Sequence, residues 1–224
     1  MLRSLLSGGN VREFLLSLLL SLPIILLALS VHETAHGYAA YRLGDPTAKQ
    51  MGRLTLNPLK HFHPIGFLCM LLCGFGWARP VPINPRYFKN PKRDMALSAL
   101  AGPLSNLLMA IFFALLLRLE YAVFSHTGFP SALAYNLFLY IETFCVLGIT
   151  MNVTLAVFNL IPCPPLDGSR IFLSFLPPDL YFKVMRYEQY LSLALMAALF
   201  FGVLDAPIAF VSDLFLELIS RLIF

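Results

Sequence analysis

The chain has 224 residues, 58% of them apolar and 12% charged, with a mean hydropathy of +0.76. Soluble domains carry roughly 45–50% apolar and about 25% charged residues, so this composition excludes a soluble globular enzyme, a disordered chain and a nucleic-acid-binding module. The net charge of +4 is modest, and its meaning lies in where Lys and Arg sit, because these residues mark cytoplasmic loops.

In chain order, the apolar run from Phe14 to Val31 is too long for a signal h-region and lacks a small-residue cleavage site, so a retained helix is expected. Residues 12–43 predict one long spanning helix with Pro23 inside it, ending at Leu43-Gly44. Residues 45–61 are polar, and Arg53–Asn57 (RLTLN) alternate like a short strand. Residues 64–78 are apolar but only 15 long, as in a re-entrant or interfacial segment. Residues 79–93 hold four prolines and five Lys/Arg and read as an extended surface loop. Residues 95–118 and 134–160 predict two core helices, and residues 161–187 a loop. Residues 188–204 and 206–224 are two further apolar helices, split by Asp205-Ala206-Pro207. The expected fold is one all-α polytopic membrane domain over residues 1–224, with about five transmembrane helices.

Charge sets the expected topology. If residues 64–78 do not cross, residues 42–93 and 163–187 together with Arg221 carry 13 of the 16 Lys and Arg on one side. If they do cross, the split weakens to 11 against 5 and separates the two polar motifs described below. The first arrangement puts the N-terminus outside and the 45–93 segment on the cytoplasmic side. Cys69, Cys73, Cys145 and Cys163 fall in apolar surroundings and read as buried thiols, not as a disulfide framework.

The strongest chemical signal is His32-Glu33-Thr34-Ala35-His36. Positions i and i+4 share a helix face, so both imidazoles can hold one zinc ion, with Glu33 placed to take a proton from water. At this composition a chance HExxH arises about 3 times in 1000 by counting, so coincidence is a poor explanation. Three ionisable residues within five positions of a spanning helix also need a compensating partner, and a metal is the natural one.

A catalytic zinc takes a third protein ligand and keeps one position open. Asp167, in the proline-rich segment Asn159–Gly168, is favoured, because it is the only carboxylate between Glu142 and Asp179 and falls on the same side as the HETAH end. His61, His63 and His126 are the other candidates; His126 falls on the opposite side. Gly102 and Asn106 read as helix packing and cross-helix hydrogen bonding. By position, Asn159 reads as a helix C-terminal cap. At about 1.5 Å per residue, His36 lies about 10 Å before its helix ends, so a polar channel from the cytoplasmic side is expected.

HETAH on an apolar helix, Gly44-Asp45, the GRLTLNP loop, Ala101-Gly102-Pro103 with Asn106, and Asn159 followed by Asp167-Gly168 occur in an order that resembles the site-2 protease family of intramembrane zinc metalloproteases. The resemblance covers about residues 15–176. It implies that His32, His36 and Asp167 hold one zinc ion, that Glu33 is the catalytic glutamate, that Asn159 helps hold the substrate or the developing oxyanion, and that the GRLTLNP loop forms a small membrane-associated β-structure near the site. It further implies an integral protein of a prokaryotic plasma membrane that cleaves transmembrane segments of partner proteins, with a regulatory membrane partner possible and no nucleic acid involved. The chain has room for neither a PDZ nor a CBS domain and is similar to the minimal branch. It departs from relatives with a helix ahead of the HETAH span, and His63 stands where many have an acidic residue. Two other classes compete: a membrane metal-binding or regulatory protein without peptidase activity, which has no need of Glu33, and a transporter, for which no internal repeat is evident.

Overall fold

Long runs of Leu, Ile, Ala and Phe broken only by isolated prolines leave the backbone one way to satisfy its hydrogen bonds without water, and the chain is accordingly helical. The structure, a computed structural model, describes residues 11–66, 69, 76–129 and 131–224. The helices are α1 (Val11–Arg42), α2 (Thr47–Gln50), α3 (Pro58–His61), α4 (Pro91–Thr127), α5 (Ala132–Asn159), α6 (Asp167–Leu173), α7 (Pro178–Arg186), α8 (Glu188–Phe200) and α9 (Asp205–Ile223), with a 3₁₀ turn at Pro85–Tyr87.

α1 stops sharply because of its glycine. Gly44 has φ +113°, its N–H donates to Tyr41 O, and Asp45 N–H donates to Ala40 O, a Schellman closure. The turn buries Asp45 completely, and its carboxylate accepts from Thr47 N and Asn84 N. α4 opens on Pro91, whose missing N–H costs nothing at a first helical position. Asp94 reaches back from the first turn to accept from Asn90 N at 3.0 Å. α5 opens on Ser131, whose Oγ accepts from Ala134 N at 3.1 Å.

α4 is the central element. It packs on α5, α1, α6 and α9. Ala110 and Ala114 of α4, Val153 and Val157 of α5, and Ile219 and Ile223 of α9 form one buried cluster. Phe113, Leu117 and Cys145 form a second, in which Gly148 makes room for the Phe113 ring: a Cβ there would lie 2.6 Å from it. Cys69, Cys145 and Cys163 are free thiols.

Two expectations about the fold change. Among the described residues, three helices are long and apolar enough to cross a bilayer: α1 from Leu18, α4 to His126, and α5. α8 and α9, expected as two further spans, pass that test only together, bent by 83°, which makes four crossings at most among the described residues in place of five. The reason is length and charge: the 13 residues of α8 reach about 20 Å against a core of about 30 Å, and α9 carries Asp205, Asp213, Glu217 and Arg221. Arg118 of α4 donates to Ile223 O, which moves the Arg221 end from the expected cytoplasmic side to the Arg118 end of the bundle.

The second change concerns the expected β-structure. No strand occurs among the described residues. Arg53–Asn57 is non-helical and joins no ladder among the described residues; Pro80 and Pro82, in the segment that the Arg53 side chain reaches, have no N–H to give. Side chains hold the segment instead. Thr34 Oγ1 and His61 Nε2 both donate to Thr55 O, and Arg53 Nη2 donates to Arg79 O and Pro80 O. The expected re-entrant segment, residues 64–78, lies largely outside the described residues.

Candidate metal centre

His32 and His36 lie one turn apart on α1, facing α4, and both are buried. Their Nε2 atoms are 2.9 Å apart. Asp167 Oδ2 stands 3.1 Å from His32 Nε2 and 3.2 Å from His36 Nε2. Among the described residues these three side chains form the one group of His, Cys, Asp and Glu close enough to share a metal ion.

The outer ring nitrogens decide what the inner ones can be. Asn106 Nδ2 donates to Ala28 O and Asn152 Oδ1, so Asn106 Oδ1 is the acceptor that faces His32 Nδ1 at 2.6 Å. His36 Nδ1 faces Ser98 O at 2.8 Å, and a carbonyl can only accept. Both rings therefore carry their proton on Nδ1, and in the neutral form both Nε2 atoms are lone pairs. Two lone pairs and a carboxylate oxygen meet within hydrogen-bond distance of each other, an arrangement that repels unless a cation sits among them. Ligands 2.0–2.1 Å from a tetrahedral zinc stand about 3.3 Å apart, close to the observed spacings, so the residues present fit zinc.

Asp167 arrives by a turn that ordinary helix cannot make. Pro162, Pro164 and Pro165 break the chain after α5, and Asp167 becomes the first residue of α6, where a carboxylate is favoured by the helix dipole. Gly168 lets α6 close onto the end of α5: a Cβ there would lie 2.2 Å from Leu160 O. Gly102 does the same for the rings, since a Cβ there would lie 2.4 Å from His36 Nε2 and 2.7 Å from His32 Cε1. The α4 surface at Gly102 is thus packing, as its sequence suggests, but packing against the two histidines themselves.

Glu33 is half-buried and outside the three-residue group, and its Oε2 accepts from Val81 N at 2.8 Å. Asn159 is the last residue of α5, and its Nδ2 donates to Leu155 O of its own helix at 2.9 Å. The other expected ligand candidates lie elsewhere. His61 donates to Thr55 O, His63 Nδ1 accepts from Gly66 N, and His126 is in the last turn of α4. Sequence reasoning missed Asn152, the Ser98 carbonyl and the Val81 amide. Asn152 carried a readable signal, a polar residue deep in an apolar span; backbone groups carry none.

The network predicts a measurable effect. Asn106→Ala removes the acceptor that fixes the His32 ring and leaves Asn152 Oδ1 without its donor. Zinc affinity, read by competition with a chromophoric chelator, is expected to fall about 10–100-fold with the helical content unchanged.

The model of Peptidase family M50 matches residues 20–202. The chain belongs to peptidase family M50. Among M50 relatives, it is 44% identical over 168 residues to "Putative zinc metalloprotease YwhC" of Bacillus subtilis, covering 74% of this chain and 73% of that one. It is 35% identical over 150 residues to "Putative zinc metalloprotease Rip2" of Mycolicibacterium smegmatis, covering 64% of this chain and 52% of the relative. The protein of the same name from Mycobacterium tuberculosis is 30% identical over 159 residues, 69% of this chain and 56% of that one. The M50 chain described here thus spans little more than half the length of its mycobacterial relatives. No solved structure matches it.

Proposed function

We propose that this M50 chain is an intramembrane zinc endopeptidase that hydrolyses a peptide bond within transmembrane segments of partner proteins. The observation that carries the reading is the convergence of His32 Nε2, His36 Nε2 and Asp167 Oδ2 with both Nδ1 atoms already engaged. These three side chains would hold one zinc ion. When bound, zinc supplies Lewis-acid chemistry: it polarises a carbonyl and lowers the pKa of water. Glu33 then takes a proton from the attacking water and gives it to the leaving amine. Its Oε2 is engaged by Val81, so Oε1 is the oxygen free for that transfer. Asn159 donates to the developing oxyanion once its Nδ2 leaves Leu155 O.

Three helices of sufficient length and apolarity among the described residues support an integral membrane protein; the proposed setting is a prokaryotic plasma membrane, with the centre toward the cytoplasmic face from the Lys and Arg asymmetry. A cavity of about 750 Å³ lies between α1, α5 and α9, lined by Leu22, Ser30, His61, Thr154 and Leu216 among others; His32, Glu33, His36, Asn159 and Asp167 are not in its wall. Its mainly apolar wall with a few polar groups suits a transmembrane segment that must partly unwind to expose its scissile carbonyl.

The test is cleavage of fluorescently tagged transmembrane substrates by the purified protein in detergent, with metal content assayed alongside. About one zinc per chain is expected, with cleavage lost on chelation and restored by added zinc. Well-folded protein that binds no metal, or cleavage indifferent to chelation, would overturn the reading. Bound zinc with no cleavage across a broad substrate panel would favour a binding or regulatory role.

A further inference from the structure

The strap Arg79–Asn84 (RPVPIN) has an unusual donor pattern. Prolines at 80 and 82 remove alternate N–H groups and so strip the donors from one edge of the strap, which leaves it few donors to place. Those it places go to specific acceptors. Arg79 N donates to His61 O at 2.8 Å, and Asn84 N donates to Asp45 Oδ2 at 2.6 Å. Between them Val81 N donates to Glu33 Oε2 at 2.8 Å. Two carboxylates of the α1 region, Glu33 and Asp45, thus each take one backbone amide of the same strap. The guanidinium of Arg53 holds the strap's other edge through Arg79 O and Pro80 O.

The fit is local to Glu33. Gly37 follows Glu33 by one turn, on the same helix face. A Cβ at Gly37 would lie 2.9 Å from Val81 Cγ1 and 2.6 Å from Leu54 Cδ2, so the bare glycine lets the strap close against α1 at the level of the glutamate. Val81 is itself buried. Glu33 carries a flexible side chain on a helix whose neighbouring ligands face inward; without an external donor its carboxylate is free to swing through several rotamers.

We infer that the backbone N–H of Val81 is a positioning group for Glu33, holding one carboxylate oxygen so that the other faces the attacking water. The inference rests on the proposed peptidase reading. Its test exploits the strap's own chemistry. Val81→Pro deletes this single N–H in a segment already built on alternating prolines, and Val81→Ala keeps the N–H while trimming the side chain.

A hydrogen bond to a charged group is strong enough that Val81→Pro is expected to lower kcat about 10–100-fold. KM and zinc per chain stay at wild-type values, and Val81→Ala keeps kcat within about threefold of wild type. Loss confined to kcat separates positioning from a structural role, which would lower zinc content or raise KM. Wild-type kcat in Val81→Pro, or an equal fall in Val81→Ala, overturns the inference while leaving the peptidase reading intact. A wild-type protein that cleaves nothing overturns both, whereas a Glu33→Gln protein as active as wild type overturns the inference alone. Should Val81→Pro fail to fold, incorporation of the valine α-hydroxy analogue at position 81 by cell-free synthesis replaces the N–H with an ester oxygen and no ring. A fall in kcat with zinc retained supports the inference there, and an unchanged kcat overturns it.

Discussion

Glu33→Gln is expected to abolish peptide cleavage while the protein keeps its full zinc content. The two halves of this result come from different features. Glu33 is not one of the three residues whose donor atoms converge, so its replacement removes no ligand. The amide oxygen of Gln accepts from Val81 N as the carboxylate does, so the side chain keeps its place. What disappears is the capacity to take a proton. General acid–base catalysis contributes about 10²–10⁴-fold, and here one group serves both for water activation and for protonating the leaving amine. A substrate-cleavage assay beside a metal assay on the same preparation checks it. Residual activity above about a tenth of wild type would show that another group carries the proton.

Gly102→Ala is expected to cost the protein its metal and, with it, its activity. The added Cβ would stand 2.4 Å from both Cε1 and Nε2 of His36 and 2.7 Å from Cε1 of His32. Contacts this short cannot be borne, so something shifts. The rings are tethered on their far sides, His32 to Asn106 and His36 to the Ser98 carbonyl, so they cannot retreat without breaking those bonds. If α4 moves instead, it carries Ser98 and Asn106 away from the histidines. Either way the three donor atoms lose their common focus. Zinc affinity is expected to fall by more than about 100-fold, beyond the range for a lost outer-sphere hydrogen bond. Overpacking of a buried site costs about 1–3 kcal/mol, so the helical bundle survives. Chelator competition together with a circular-dichroism melt separates the two effects. Retained wild-type affinity would mean that the helices separate there at no cost.

The sequence carried much of this site because its chemistry is encoded at short range. Two histidines four apart on a helix share a face in any fold, and three ionisable residues in an apolar span demand compensation. Asp167 was favoured as the third ligand from the scarcity of carboxylates and from side-of-membrane reasoning, and the structure places it with His32 and His36. The two clashes that give Gly102 and Gly168 their meaning are long-range contacts, and no local pattern announces them. Among the described residues fewer spans occur than the apolar runs suggest, because α8 is too short to cross alone and α9 carries Asp205, Asp213, Glu217 and Arg221. The expected strand at Arg53–Asn57 was overread for a related reason. Alternation shows that a segment is suited to a ladder, but whether a partner with free N–H groups lies beside it depends on the rest of the chain.

By itself, then, the sequence determined that this chain is helical and apolar enough to cross a bilayer, and that His32, Glu33 and His36 share one helical turn. Those properties follow from composition and from a helical period that no tertiary contact alters. Only the tertiary structure decided which lone pairs face one another, because that depends on what the outer nitrogens meet: Asn106 held by Asn152 and Ala28 for His32, and the Ser98 carbonyl for His36. It also decided that the proline-rich strap reaches Glu33 through the Val81 amide. A backbone N–H is the same in every non-proline residue, so its role comes from where the fold brings it.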